Sequence, residues 1–168
     1  MNKYYGARWA LCLVVGAGSL HAEQSQTNTP ENLVAMFLVS GECSFLMVAN
    51  EQLRCKGSVV NTEYDYGRTG FYFFNQDEAG NTHDIITFSG MGQEQISPSE
   101  SLRLQPIDSL VFEGGRQNAV GFCTFENPFV GVARIECAAY LESGEIYSGF
   151  FVSDGNRPEI VLSNEADR

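Results

Sequence analysis

Strand-like runs dominate the chain. Leu33-Val34-Ala35-Met36-Phe37-Leu38-Val39 is an unbroken apolar run of strand length, and Leu53-Arg54-Cys55-Lys56-Gly57-Ser58-Val59 alternates. Gly70-Phe71-Tyr72-Phe73-Phe74 is aromatic and β-prone. Ile85–Phe88, Ser101–Leu104, Ser109–Phe112, Val132–Cys137 and Ile146–Val152 read as further strands. Turn residues separate these runs at 75–81, 113–115 and 154–156. No stretch of helical length shows an apolar period of 3.6, although Thr29-Pro30-Glu31-Asn32 has the composition of a short helical turn. The pattern predicts an all-β fold: about ten antiparallel strands in a sandwich or a closed barrel.

The first residues read differently. Lys3 and Arg8 precede a short apolar segment, Leu11–Gly18, and Leu20-His21-Ala22 leads to an expected cleavage after Ala22. The apolar segment is too short and too rich in glycine to span a bilayer, which takes about 20 residues. Residues 1–22 are thus expected to be an export signal, 23–32 and 164–168 mobile tails, and 33–163 a single β domain. The destination is periplasmic or secreted, without membrane insertion. Loss of residues 1–22 removes two basic residues, Trp9, His21 and Cys12, and leaves eight basic against 21 acidic residues, a net charge of −13. No cluster of Lys or Arg exists to hold a phosphate backbone, so nucleic acid is excluded as a partner.

Four cysteines remain, and they sit in a repeat. Gly41-Glu42-Cys43-Ser44-Phe45 matches Gly121-Phe122-Cys123-Thr124-Phe125, Leu53-Arg54-Cys55 matches Ile135-Glu136-Cys137, and Gly70-Phe71 matches Gly149-Phe150. Asp84-Ile85-Ile86 resembles Glu159-Ile160-Val161. The order is kept while the offset drifts from 80 to 82, 79 and 75 residues. Two copies, about 33–90 and 110–163, joined by 91–109, account for this, and pseudo-twofold symmetry is expected of them. Equivalent cysteines should make equivalent bonds, Cys43–Cys55 and Cys123–Cys137; the symmetric alternative pairs Cys43 with Cys137 and Cys55 with Cys123. Zinc is disfavoured because its cysteine pairs are spaced by two to four residues and these are spaced by 11 and 13.

Few residues offer chemistry. His83 is the one histidine left after cleavage, and no G-x-S-x-G elbow accompanies it; Ser89-Gly90-Met91-Gly92 lacks the pattern. Asp77, Glu78 and Asp154 fall at hairpin tips, where carboxylates are solvated, whereas catalytic acids need a cleft. Asn75-x-Asp77-x-Ala79-Gly80 imitates the start of a calcium loop, but Ala79 and Ile86 stand where ligands belong. No catalytic residue, metal site or cofactor is assigned. Tyr64, Tyr66 and Arg68, together with Tyr72, form the most unusual surface candidate, because Tyr and Arg favour protein-binding hot spots.

The paired G-x-C-x-F segments, Gly67-Arg68-Thr69-Gly70-Phe71, Gly121–Phe129 and Ser153-Asp154-Gly155 resemble those of small exported proteins of proteobacteria. That resemblance implies a periplasmic or secreted address and no particular activity. The function expected is a non-enzymatic binding module that engages a protein partner, a basic one, through an acidic surface, in an inhibitor or immunity-type role. The alternatives are a small-ligand carrier with an apolar cavity and an enzyme using carboxylates alone.

Overall fold

The computed structural model describes residues 32–163. The expected signal, the C-terminal tail and, but for Asn32, the N-terminal tail with its helical turn at 29–32 lie outside the described residues. The ten strands, in chain order, are β1 Leu33–Val48, β2 Glu51–Leu53, β3 Cys55–Tyr64, β4 Arg68–Gln76, β5 Thr82–Met91, β6 Leu102–Phe112, β7 Gly115–Glu126, β8 Arg134–Leu141, β9 Ile146–Ser153 and β10 Glu159–Ser163. Between β5 and β6 there is a single 3-10 turn, Gly92–Glu94. All pairings are antiparallel. β1, β3, β4, β5, β6, β7, β8 and β9 form an up-and-down meander that closes where β9 returns to β1. β2 adds to the end of β1, and β10 takes over from β9 along the first half of β1. The fold is therefore a closed eight-stranded barrel with two extra strands.

An eight-stranded barrel has an interior just wide enough for side chains to fill. Here Leu46, Phe73, Ile86, Phe88, Leu110 and Phe151 fill its middle and are almost wholly buried. Phe73 meets Phe88 edge to face, with ring centroids 5.7 Å apart. Phe112 stacks on Tyr147 at 5.3 Å and closes one end with Leu141 and Ala119. Burial holds the Tyr147 phenol above its ordinary pKa, and the neighbouring Glu145 charge adds to the rise.

Two bulges set which side chains enter. On β1 the register shifts between Cys43 and Phe45, so Cys43 faces inward, Phe45 faces outward and Leu46 is inside again. On β6 the shift lies between Ile107 and Ser109. This strand also joins two runs, Ser101–Leu104 and Ser109–Phe112, that alternation separates. Pro106 interrupts the pattern between them, yet it pairs with Phe122 within one continuous strand.

Both expected disulfides are present, Cys43–Cys55 across β1 and β3 and Cys123–Cys137 across β7 and β8. Cys123 lies directly opposite Cys137, and the β1–β3 register, continued past Ser40 and Ser58, brings Cys43 opposite Cys55. The glycine two residues before each first cysteine has the same cause in both places. A Cβ on Gly41 would lie 2.1 Å from the Val152 carbonyl oxygen, and one on Gly121 would lie 2.1 Å from that of Ala138.

The repeat does not extend to a symmetry of the barrel. It carries β1, β3 and β4 onto β7, β8 and β9, a shift of five places round the strand order. Neighbours are antiparallel throughout, so an odd shift sets β7 running against β1. No rotation then superposes the two copies with the same faces inward. The likeness is one of strand pairs and their cross-links.

Candidate functional site at the open mouth of the barrel

The end opposite Phe112 and Tyr147 is not filled. A cavity of about 320 Å³ opens there. Barrel mouths are recurrent ligand sites, and pockets for small molecules begin at about 300 Å³. The inward positions of six strands supply its walls. Phe37 and Val39 come from β1, Asn61 and Glu63 from β3, Thr69 and Phe71 from β4, Arg103 from β6, Phe125 and Glu126 from β7, and Ile135 from β8. The segments 95–101 and 127–129 complete the rim. A depression of about 430 Å³ adjoins it outside the rim, sharing Glu100, Ser101, Glu126 and Asn127, and another of about 420 Å³ lies by Gly41 and Ser153; both are more open and lack the aromatic walls.

Aromatic pairs line the mouth. Phe71 and Phe125 lie 5.0 Å apart across the cavity wall. Phe129 reaches over from the β7–β8 loop and meets Phe37 edge to face at 5.6 Å. The loop is shaped by Asn127, whose Oδ1 accepts from the Phe129 N–H at 2.9 Å. The opposite rim is held from below. Gln105 is fully buried; its Nε2 donates to the carbonyls of Met91 and Pro106, each at 2.9 Å. Its Oε1 accepts from Gln95 Nε2 at 3.3 Å, and Ile96 pairs with Leu104, so the segment after the 3-10 turn is fastened to β6.

The polar groups of the mouth are unevenly committed. Asn61 donates to the Gly70 carbonyl at 3.1 Å. Arg103 Nη1 donates to the carbonyls of Ser99, Glu100 and Leu102 at 3.1, 3.2 and 3.3 Å, and no carboxylate among the described residues pairs with it. Glu126 Oε2 accepts from the Arg134 N–H at 2.9 Å. The Thr69 hydroxyl oxygen is buried in the wall without a hydrogen-bond partner among the described residues.

The tyrosine and arginine candidates lie elsewhere, on the outer face of β3 to β6. The structure brings them together. Tyr64 and Tyr66 have ring centroids 5.9 Å apart, and the Tyr64 and Tyr72 hydroxyls are 3.0 Å apart. Tyr72 covers Gly70 and helps to bury Thr62 and Thr87. Arg68 is engaged by the fold: its two terminal nitrogens reach the two oxygens of Asp108 at 2.7 and 2.9 Å, and Nη1 also reaches the hydroxyls of Ser89 and Ser109. Partial burial raises the Asp108 pKa, but hydrogen bonds from Arg68 and Ser109 and the charges of Arg68 and Arg116 outweigh it. The carboxyl lies below its ordinary value.

The remaining candidates are satisfied locally. His83 Nδ1 is 3.0 Å from its neighbour Asp84 and the imidazole is exposed. Asp77 holds Asn81 through both oxygens, and the Asn81 side chain is the main reason its pKa is lowered. Asp154 holds Asn156 in the same way. Asn75 turns from Asp77 toward Asp84, so the calcium-like spacing gathers no ligands. No group of three or more His, Cys, Asp or Glu fit to hold a metal occurs among the described residues. Sequence reasoning offered an apolar cavity as an alternative but named none of the residues that line the mouth.

Comparisons bring no relative to bear on the site. No family model matches the chain, no curated protein matches it, and no solved structure matches it.

Proposed function

We propose that this protein is an exported, non-enzymatic binding protein that holds a small, mainly apolar ligand in the open end of its barrel. One observation carries the reading. The interior is packed solid from its middle to the closed end, while the other end keeps a cavity of about 320 Å³ walled by Phe37, Phe71, Phe125, Phe129 and Ile135. Packing that leaves aromatic walls unfilled forgoes dispersion and burial that a ligand recovers. The two disulfides fit an oxidising compartment, in keeping with a periplasmic or secreted address. No helix among the described residues is long and apolar enough to cross a membrane.

Titration with the neutral apolar dye N-phenyl-1-naphthylamine tests this. One saturable site is expected, with amide shifts centred on Phe71 and Phe125, and Phe71→Ala weakens it. Absence of saturable binding by any apolar probe refutes the reading.

The second reading, capture of a basic protein, is supported by the net charge of −11, which becomes −13 after the expected cleavage, and by the grouping of Tyr64, Tyr66 and Tyr72. It expects salt-sensitive capture from envelope extract and loss of capture in Tyr66→Ala. Empty capture at low salt counts against it.

A further inference from the structure

We infer that the barrel mouth selects a lipophilic cation, an ammonium carrying an alkyl or aryl tail; this rests on the ligand-binding reading above. Three observations converge. The mouth carries three carboxylates, Glu63, Glu100 and Glu126, against one guanidinium, that of Arg103. One nitrogen of that guanidinium, Nη1, is turned onto three backbone carbonyls of the rim. The carboxylate of Glu126 is fixed at the rim by the Arg134 N–H. The local field at the entrance is therefore negative, in a chain with 21 acidic and 10 basic residues.

The walls add to that field. A phenyl ring presents a negative face, and a cation close to several such faces is attracted by each. Four phenyl rings in two pairs, Phe37 with Phe129 and Phe71 with Phe125, line one cavity. A quaternary ammonium is weakly hydrated and forms no directed hydrogen bonds, so it loses little on leaving water for a cavity with four phenyl rings in its wall. Its tail takes the apolar wall made by Val39 and Ile135. An anionic amphiphile meets the same apolar wall but must pass the three carboxylates to reach Arg103.

Calorimetric titration of the disulfide-bonded protein with three ten-carbon probes, each below its micelle concentration, separates the possibilities. The probes are decyltrimethylammonium, the neutral decyldimethylphosphine oxide and decanoate. The cation is expected to bind one to one, about tenfold tighter than either of the others. Glu63→Gln and Glu126→Gln are each expected to weaken it about two- to fivefold, the scale of one partly exposed charge contact, and to weaken the neutral probe by less than they weaken the cation. Equal binding of cation and neutral probe overturns the cation inference and leaves the ligand-binding reading standing. Tightest binding of decanoate overturns it too, by giving control to Arg103. Many weak cation sites, with amide shifts away from the mouth, overturn it as surface adsorption. Binding of none of the three overturns both readings.

Discussion

Gly149 gives the sharpest test of how the interior is built. It sits on the inward face of β9, opposite Leu46 of β1. A Cβ placed there lies 2.7, 2.8 and 3.0 Å from Cε1, Cδ1 and Cζ of Phe73. The ring has no room to retreat, because Phe73 is fully buried and its other side meets Phe88 at 5.7 Å. Gly149→Ala therefore overpacks the middle of the barrel, a change that costs about 1–3 kcal/mol. At roughly 3–4 °C per kcal/mol for a chain of this size, melting should fall by about 3–12 °C. Circular dichroism melts with the disulfides intact provide the assay. The cause is checked by a double-mutant cycle with Phe73→Leu, which destabilises alone by opening space but makes room for the alanine methyl. The double variant should lose at least about 0.5 kcal/mol less than the two single losses together. Gly149→Ala within about 0.5 kcal/mol of wild type, or strict additivity in the cycle, refutes the packing argument.

Three further outcomes are expected. Replacing Cys123 and Cys137 by alanine opens a loop of 14-residue separation and should lower stability by about 3 kcal/mol in denaturant titrations, with a loss under about 1 kcal/mol counting against the clamp. Asp108→Asn should cost about 1 kcal/mol or less at pH 7, because the carboxylate is half exposed while Arg68 is mostly covered. The folded Asp108 pKa is depressed, so its contribution is present above the unfolded value of about 3.9 and disappears as pH falls through the folded value; a wild-type-to-variant gap that persists at pH 2 refutes the assignment. Gln105→Leu leaves the Met91 and Pro106 carbonyls without their side-chain donor, at about 1–3 kcal/mol, and should speed amide exchange at Ile96 and Leu104; unchanged exchange there means Gln105 does not hold the rim.

The all-β class, antiparallel order and both disulfides were legible because each comes from local rules: apolar runs, turn residues and the spacing of like segments; β7 and β10 contain none of the runs read as strands. Phase was not. On β7, hydrophobicity alone turns Val120 and Phe122 inward, yet both are exposed and Ala119, Gly121 and Cys123 face the core. The interior there has no space for a methyl beside the Ala138 carbonyl, and the Cys123–Cys137 bond pins the register that keeps the small residues inside. On β6, Leu102 and Leu104 suggest that Arg103 faces out. Gln105 and Ile107 fix the opposite phase, and Arg103 lines the mouth. A cavity assembled from polar and apolar residues of six strands leaves no contiguous mark in the chain. The inward polar positions Asn61, Thr69, Arg103 and Gln105, each two residues from an apolar inward neighbour or from one another, were the available signal.

The two copies of the repeat share one local device: a glycine where a neighbouring strand comes too close for a side chain, then a cysteine facing its partner across a strand pair. Beyond the cysteine the copies diverge with strand direction. β7 runs toward the open end, so Phe125 stays inward and walls the cavity against Phe71. β1 runs toward the closed end, and the bulge at Ser44 turns Phe45 out to stack on Phe150 at 6.2 Å. Had Phe45 remained inward, it would have entered a region already filled by Leu46 and Phe151. The shared part of the motif therefore clamps the barrel, and the part that diverges leaves it open at one end. The cavity at that end is the consequence of the asymmetry of the copies, and among the described residues the stacked Phe112 and Tyr147 occupy the corresponding place at the closed end.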